Sequence, residues 1–349
     1  MERMDSNMPF LLRYENVAWF ENGKVRILDR RVYPQLNYVV CEDYRQVVQA
    51  IADMVTQSAG PYTAVAMGMA LAAWQVRDKS EAHQLDILKQ AAYELAHARP
   101  TTANRYGKIT SDSYAVAEKA LQSGEKAYDA IFLNTLDSLN RRYSTMQKVG
   151  NRLLELIPEN GTILTQCFGE TIIGTLIKAA KESGKYFRVY CAETRPYLQG
   201  ARLTASCFAD TGFDTTVISD NMVAYSMQCE GIDLFTSAAD TITRDGHIAN
   251  KVGSYQMAIL AKHHSIPYYV TGIPDGDKFG KNDIVIEMRD PSQVLEYRGI
   301  KTTLPQVKAI YPSFDIVPPE LIKAVVTDKG VYPPQSLNTY FDSEVDRFY

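Results

Sequence analysis

Apolar and polar residues alternate with different rhythms in the two halves of the chain. Near the start, Val17-Ala18-Trp19-Phe20 and Val25-Arg26-Ile27-Leu28 flank Glu21-Asn22-Gly23-Lys24. The Asn-Gly pair supplies the positive φ angles of a tight hairpin turn. Helical spacing follows. Val47, Val48, Ile51 and Val55 recur at helical intervals, and residues 64–74 predict a small apolar helix rich in alanine and methionine. Amphipathic helices are expected over about 81–98 and 103–123, and a long one over 126–156 with a break near Gly150. Pro158-Glu159-Asn160-Gly161 reads as a turn and marks a domain boundary.

Beyond Gly161 short apolar runs alternate with helical stretches. Strands are expected at 162–165, 188–191, 216–218, 233–236 and 268–270. The helices between them fall at 171–183, 200–211, 222–229 and 250–264. This alternation predicts an α/β fold: a C-terminal Rossmann-like, doubly wound parallel sheet over 159–349. Residues 1–158 form a smaller, mainly helical N-terminal domain that starts with the β-hairpin. The tail after Pro334 is polar and reads as an arm.

Composition narrows the function classes. The 349 residues carry a formal net charge of −4, so no general basic field serves nucleic acid or an anionic membrane. The apolar stretch at 64–74 is too short to span a bilayer. Early charges argue against a signal peptide, and the five cysteines show no metal-knuckle spacing. Reduced thiols in the cytoplasm are the expectation. No H-E-x-x-H, G-x-S-x-G or Walker loop supports a metal or serine-nucleophile mechanism.

Ligands of a doubly wound sheet bind beyond the carboxyl ends of its strands. The segments there are Gln166-Cys167-Phe168-Gly169-Glu170, Ala192-Glu193-Thr194-Arg195-Pro196, Ser219-Asp220-Asn221 and Ser237-Ala238-Ala239-Asp240-Thr241. They should bring a thiol, carboxylates and an arginine to one rim. Cys167 precedes a helix, whose amino end favours a thiolate, although free cysteine is also a common core residue. Asp240 suits either a turn or an acid. Arg195, Gln199 and Arg202 surround a helix start, an arrangement that suits phosphate. Asn250 reads as a helix cap and Lys251 as a first-turn cation that a nearby anion would relieve. Cys191, Cys207 and Cys229 read as core.

Several of these segments resemble the methylthioribose-1-phosphate isomerase family. The resemblance lies in residues 193–205, in Ala239-Asp240 with Asp245-Gly246, in 249–256, in 314–322 with Lys329-Gly330-Val331, and in Arg99-Pro100-Thr101. The superfamily also holds regulatory subunits of a eukaryotic translation-initiation exchange factor, which lack the catalytic pair. The resemblance implies an enzyme that isomerises a closed-ring aldose 1-phosphate to an open ketose 1-phosphate. Asp240 would be the acid, and Cys167 would handle the C2 hydrogen or shield its transfer. Arg99, Gln199 and Lys251 would hold the phosphate and Asn250 the sugar, with Glu193 and Arg195 as further candidates. It implies no metal or redox cofactor, a small sugar-phosphate partner and a homodimer.

Three departures from the family pattern stand out. Ser58-Ala59-Gly60-Pro61 replaces Arg-Gly-Ala-Pro, so Ser58 stands where the family places a phosphate-binding arginine. Such a charge-assisted contact is worth roughly 1.5–3 kcal/mol. Cys167-Phe168-Gly169-Glu170 replaces Cys-Asn-Ala-Gly, and Ala238-Ala239-Asp240-Thr241 replaces Gly-Ala-Asp-Arg. The substrate expectation therefore extends to 5-deoxyribose 1-phosphate or another sugar phosphate. A non-catalytic binding protein is the rival reading.

Overall fold

The computed structural model describes residues 3–99 and 103–343, so Pro100 and Thr101 of the first-domain motif lie outside the described residues. The chain forms two compact units that divide between Ser144 and Thr145.

The first unit opens with a short helix, α1 (Tyr14–Val17), and an antiparallel sheet of β1 (Ala18–Glu21), β2 (Lys24–Leu28) and β3 (Tyr38–Cys41). Asn22 and Gly23 turn the hairpin at φ of 52° and 74°, as the Asn-Gly pair predicts. β3 falls outside the sequence expectation, because a run this short shows no period. Helices α2 (Tyr44–Ala52), α3 (Gly60–Gln75), α4 (Glu81–Ala96), α5 (Ala103–Gln122) and α6 (Ala127–Leu156) follow. Asp43 and Gln46 close a capping box on α2. α3 is buried along most of its length, which explains its uniformly small and apolar sequence. Gly68 lets α4 approach, since a Cβ there would lie 2.9 Å from the Leu95 side chain.

The second unit carries the main sheet. In chain order its elements are β4 (Thr162–Gln166), α7 (Glu170–Ser183), β5 (Arg188–Ala192), α8 (Ser206–Asp210), β6 (Thr215–Ile218), α9 (Val223–Cys229) and β7 (Leu234–Ala238). Then come β8 (Thr241–Ile242), β9 (Ile248–Lys251), α10 (Ser254–His263), β10 (Tyr268–Thr271), β11 (Glu296–Tyr297), β12 (Ile300–Lys301), β13 (Phe314–Val317), β14 (Ala324–Val326) and β15 (Val331–Tyr332). The seven-stranded sheet has the order β15-β14-β10-β7-β4-β5-β6. Every pairing is parallel except β14 with β15. β4 is buried at every position, with Ile163 and Leu164 at its centre and Thr162, Thr165 and Gln166 buried beside them. The chain winds from β4 outward to β6, then returns to place β7 on the other side of β4. The switch point of the doubly wound sheet therefore lies between β4 and β7.

Four expectations need correction. α6 runs through Gly150 without a break. Glycine serves packing there, because a Cβ would lie 2.8 Å from the Thr175 carbonyl carbon on α7. The helix expected from 250 begins at Ser254, and Asn250 and Lys251 belong to β9, which pairs with β8 and β13. The turn after β9 depends on Gly253 at φ 104° and on Asp315, whose Oδ2 accepts from the Gly253 and Tyr255 N–H groups. Over its described residues the segment after Pro334 is no arm: Pro334–Asp342 is a 3₁₀ helix with Leu337 and Tyr340 buried. Cys229 is exposed, whereas Cys191 and Cys207 are in the core as expected.

Candidate active site

The rim of the second unit is built from the loops that leave β4, β5, β6 and β7. Cys167 follows β4 directly and is half-buried, with φ of 59°. Its N–H donates to Thr194 Oγ1 at 2.8 Å, and Thr204 Oγ1 donates to its carbonyl. Thr194 belongs to the loop after β5, so two neighbouring strand ends hold the thiol-bearing residue. The loop after β6 holds that loop in turn. The Asp220 carboxylate accepts from the Thr194 N–H at 2.8 Å and the Arg195 N–H at 2.7 Å. On the other side, a Cβ on Gly169 would lie 2.7 Å from Ala238 Cβ, so the loops after β4 and β7 approach closely. Asp240 lies just past β7, exposed, its N–H donating to the Ala249 carbonyl at 2.9 Å. Cys167 and Asp240 thus flank the switch point of the sheet.

β9 adds the next two residues. Asn250 and Lys251 are both buried. Asn250 Nδ2 donates to Ser254 Oγ at 2.9 Å, which fixes the amide. Gln166, the last residue of β4, donates to the Lys251 carbonyl at 3.1 Å, so the strand carrying the thiol also braces the lysine. Lys251 Nζ lies 5.2 Å from the Phe314 ring centroid and 5.8 Å from that of Tyr311. Burial pushes the Cys167 thiol up to about 11, and the Asp240 carboxylate adds to the rise. Lys251 and, more weakly, Arg289 pull against it. The thiol is therefore neutral at ordinary pH, and the thiolate suggested by the helix end is not its resting form.

The loop after β5 supplies Glu193, Arg195 and Gln199. Burial raises the Glu193 carboxyl above its ordinary value, the nearby Asp220 adds to the rise, and Arg195 opposes it. The Arg195 guanidinium donates to the Glu296 carbonyl at 3.2 Å and lies 5.5 Å from the Tyr297 ring. It is thus engaged with the β11 segment. Gln199 is buried, and its Oε1 has no hydrogen-bond partner among the described residues. Such an acceptor fits a ligand hydroxyl. The chain then enters a π-helical turn, Gly200–Ala205. Only glycine fits its first position, where a Cβ would lie 1.8 Å from the Ala192 carbonyl oxygen.

Two rim residues escaped the sequence reading. Arg289 pairs with Glu287 at 3.4 Å, and its side chain is largely buried. Tyr311 is buried, and burial raises its hydroxyl, with Arg289 opposing. A bridge between Met288 and Pro312 brings them together, and Arg289 N–H donates to the Tyr311 carbonyl at 2.8 Å. Both residues sit in irregular segments, where no strand-end rule applies. Arg99 and Ser58 lie in the first unit: Arg99 beyond the end of α4, and Ser58 before α3 at φ of 59°.

A parallel sheet with a thiol, a carboxylate and a buried lysine around its switch point defines a Rossmann-like α/β protein built to bind a small polar ligand. Residues 57–334 match the initiation factor 2 subunit family. Relatives include the methylthioribose-1-phosphate isomerase of Carboxydothermus hydrogenoformans, 34% identical over 91% of this chain and 96% of that protein. That of Desulforudis audaxviator is 35% identical over 90% and 94%. The chain belongs to the initiation factor 2 subunit family, alongside its methylthioribose-1-phosphate isomerases. Among solved structures, the 5-methylthioribose 1-phosphate isomerase of Pyrococcus horikoshii OT3 superposes with a TM-score of 0.80 at 28% identity, covering 93% of this chain and 94% of that one. The delta subunit of translation initiation factor eIF-2B from A. fulgidus gives a TM-score of 0.79 at 30% identity, covering 93% and 98%.

Proposed function

We propose that this protein is an aldose–ketose isomerase that converts 5-methylthioribose 1-phosphate to the corresponding ribulose 1-phosphate. The observation that carries the reading is the placement of Cys167 and Asp240 on either side of the switch point, where the charge of one is felt by the other. The anomeric phosphate prevents spontaneous ring opening, so an acid must act at the ring oxygen. In its protonated form Asp240 gives its proton to that oxygen as the C1–O bond breaks. The C2 hydrogen moves with its electron pair to C1, and the Asp240 carboxylate takes the proton of the C2 hydroxyl as the ketone forms. Protons and electrons balance without an external oxidant. A thiol held near 11 is neutral at pH 7, with about one in ten thousand ionised. That favours Cys167 as an apolar shield for the migrating hydride over a role as a base. Lys251 meets the phosphate and Asn250 a sugar hydroxyl. Gln199, which the resemblance assigns to the phosphate, is placed on a sugar hydroxyl instead, because its unanswered Oε1 is an acceptor.

The reading includes a cytoplasmic homodimer. Apolar side chains exposed in the second unit, among them Val285, Met288, Ile300, Leu304 and Ile310, are in keeping with a covered surface. The likeness to the initiation-factor delta subunit favours a second reading, a sugar-phosphate or nucleotide binder without turnover. A panel of 5-substituted ribose 1-phosphates, followed by NMR for the C2 ketone, separates the two. Ketone from 5-methylthioribose 1-phosphate supports the isomerase. Ketone only from 5-deoxyribose 1-phosphate moves the substrate, and binding without ketone supports the second reading.

A further inference from the structure

A cavity of about 650 Å³ lies within the first unit, between α3, α5 and α6. That volume is in the range of small-molecule sites. Ala66, Ile109, Ala115 and Leu139 contribute apolar walls, and Lys108 stands among the polar lining residues. Two buried lining residues have unanswered polar atoms. Arg142 is 5% exposed, and neither its Nε nor its Nη2 has a hydrogen-bond partner among the described residues. Thr63 is 2% exposed, and its Oγ1 is likewise unanswered. A buried guanidinium with unmade hydrogen bonds is costly, and native proteins rarely keep one without a partner.

The pattern of unmade bonds identifies what is missing. Nε and Nη2 form one edge of the guanidinium fork, the edge that takes both oxygens of a carboxylate or phosphate. The Thr63 hydroxyl lines the same cavity and is a further unanswered donor. Nearby, Asn134 Nδ2 already donates to Asp112 Oδ2 at 2.9 Å, so that carboxylate is held by its neighbour. We propose that this cavity is a binding site for a small oxyanion-bearing metabolite, whose carboxylate or phosphate sits side-on against Arg142 with Thr63 as a further donor. The proposal concerns the first unit alone and does not depend on the isomerase reading.

Full-length protein crystals soaked in selenate provide the test, read as an anomalous difference map. A peak against the Nε–Nη2 edge is expected in the wild type, and its loss is expected in Arg142→Met. Arg142→Met should melt no lower than wild type in oxyanion-free buffer, since it removes a buried guanidinium with two unanswered nitrogens. If Arg142→Met does not fold, Arg142→Lys keeps the charge without the fork and should bind selenate at least about tenfold more weakly. Competition then identifies the ligand class: displacement at lower concentration by inorganic phosphate indicates phosphate, and by acetate indicates carboxylate. Absence of a peak at Arg142 in wild-type crystals at saturating selenate overturns the proposal, as does an undiminished peak in Arg142→Met.

Discussion

Cys167 combines an unusual backbone with an unusual thiol. Its φ of 59° is a left-handed value that few side chains adopt, and hydrogen bonds to Thr194 from its N–H and from Thr204 to its carbonyl hold it there. Burial raises the thiol to about 11, so ionisation, and with it nucleophilicity, comes only at high pH. Alkylation of Cys167 by iodoacetamide, followed residue by residue by mass spectrometry, should be slow at pH 7. It should rise about tenfold per pH unit up to pH 10. A plateau by pH 8 would show that Lys251 and Arg289 overcome burial. Cys167 and Asp240 were legible as candidates because strand ends of a doubly wound sheet converge. The thiol's neutrality was not, because it depends on what surrounds the sulfur rather than on the helix that follows it.

Among the elements, β9 carries the lysine that the isomerase reading assigns to the phosphate. The sequence around Asn250 and Lys251 is polar and precedes an obvious helix, so it reads as the start of that helix. Pairing with β13 makes it a strand instead, and Asp315 and Gly253 shape the turn that separates the two. Lys251 is thereby buried between sheet and aromatic rings, where a single charge acts strongly. Lys251→Met should raise KM about ten- to hundredfold, as loss of a charge-assisted contact predicts, with a smaller change in kcat. An unchanged KM would remove Lys251 from phosphate binding. In α6, Gly150→Val would press on the Thr175 carbonyl, 2.8 Å from the new Cβ. A loss of about 1–3 kcal/mol is expected, read as a lower melting temperature. An unchanged melting temperature would mean that α6 and α7 do not pack as described.

At the scale of the whole molecule, the division of labour between a helical unit and a sheet unit follows from the two rhythms of the sequence. Strands of the main sheet were legible where buried apolar runs alternate with helices. β14 and β15, and β13 in the smaller sheet, were not, because each has two to four residues, too few to show a period, and β13 and β14 pair with β9 and β10 far back in the chain. Arg289 and Tyr311 were invisible for the same reason: the bridge that joins their segments has no local signature. The candidate residues Cys167 and Asp240, by contrast, follow strand ends, where topology alone brings residues together. The most direct measurement is turnover of 5-methylthioribose 1-phosphate by the wild type, Asp240→Asn and Cys167→Ser, followed by the C2 ketone resonance. The account predicts ketone from the wild type, and a rate at least about a hundredfold lower in Asp240→Asn and clearly reduced in Cys167→Ser. Full turnover by Asp240→Asn, or none by the wild type, would contradict it.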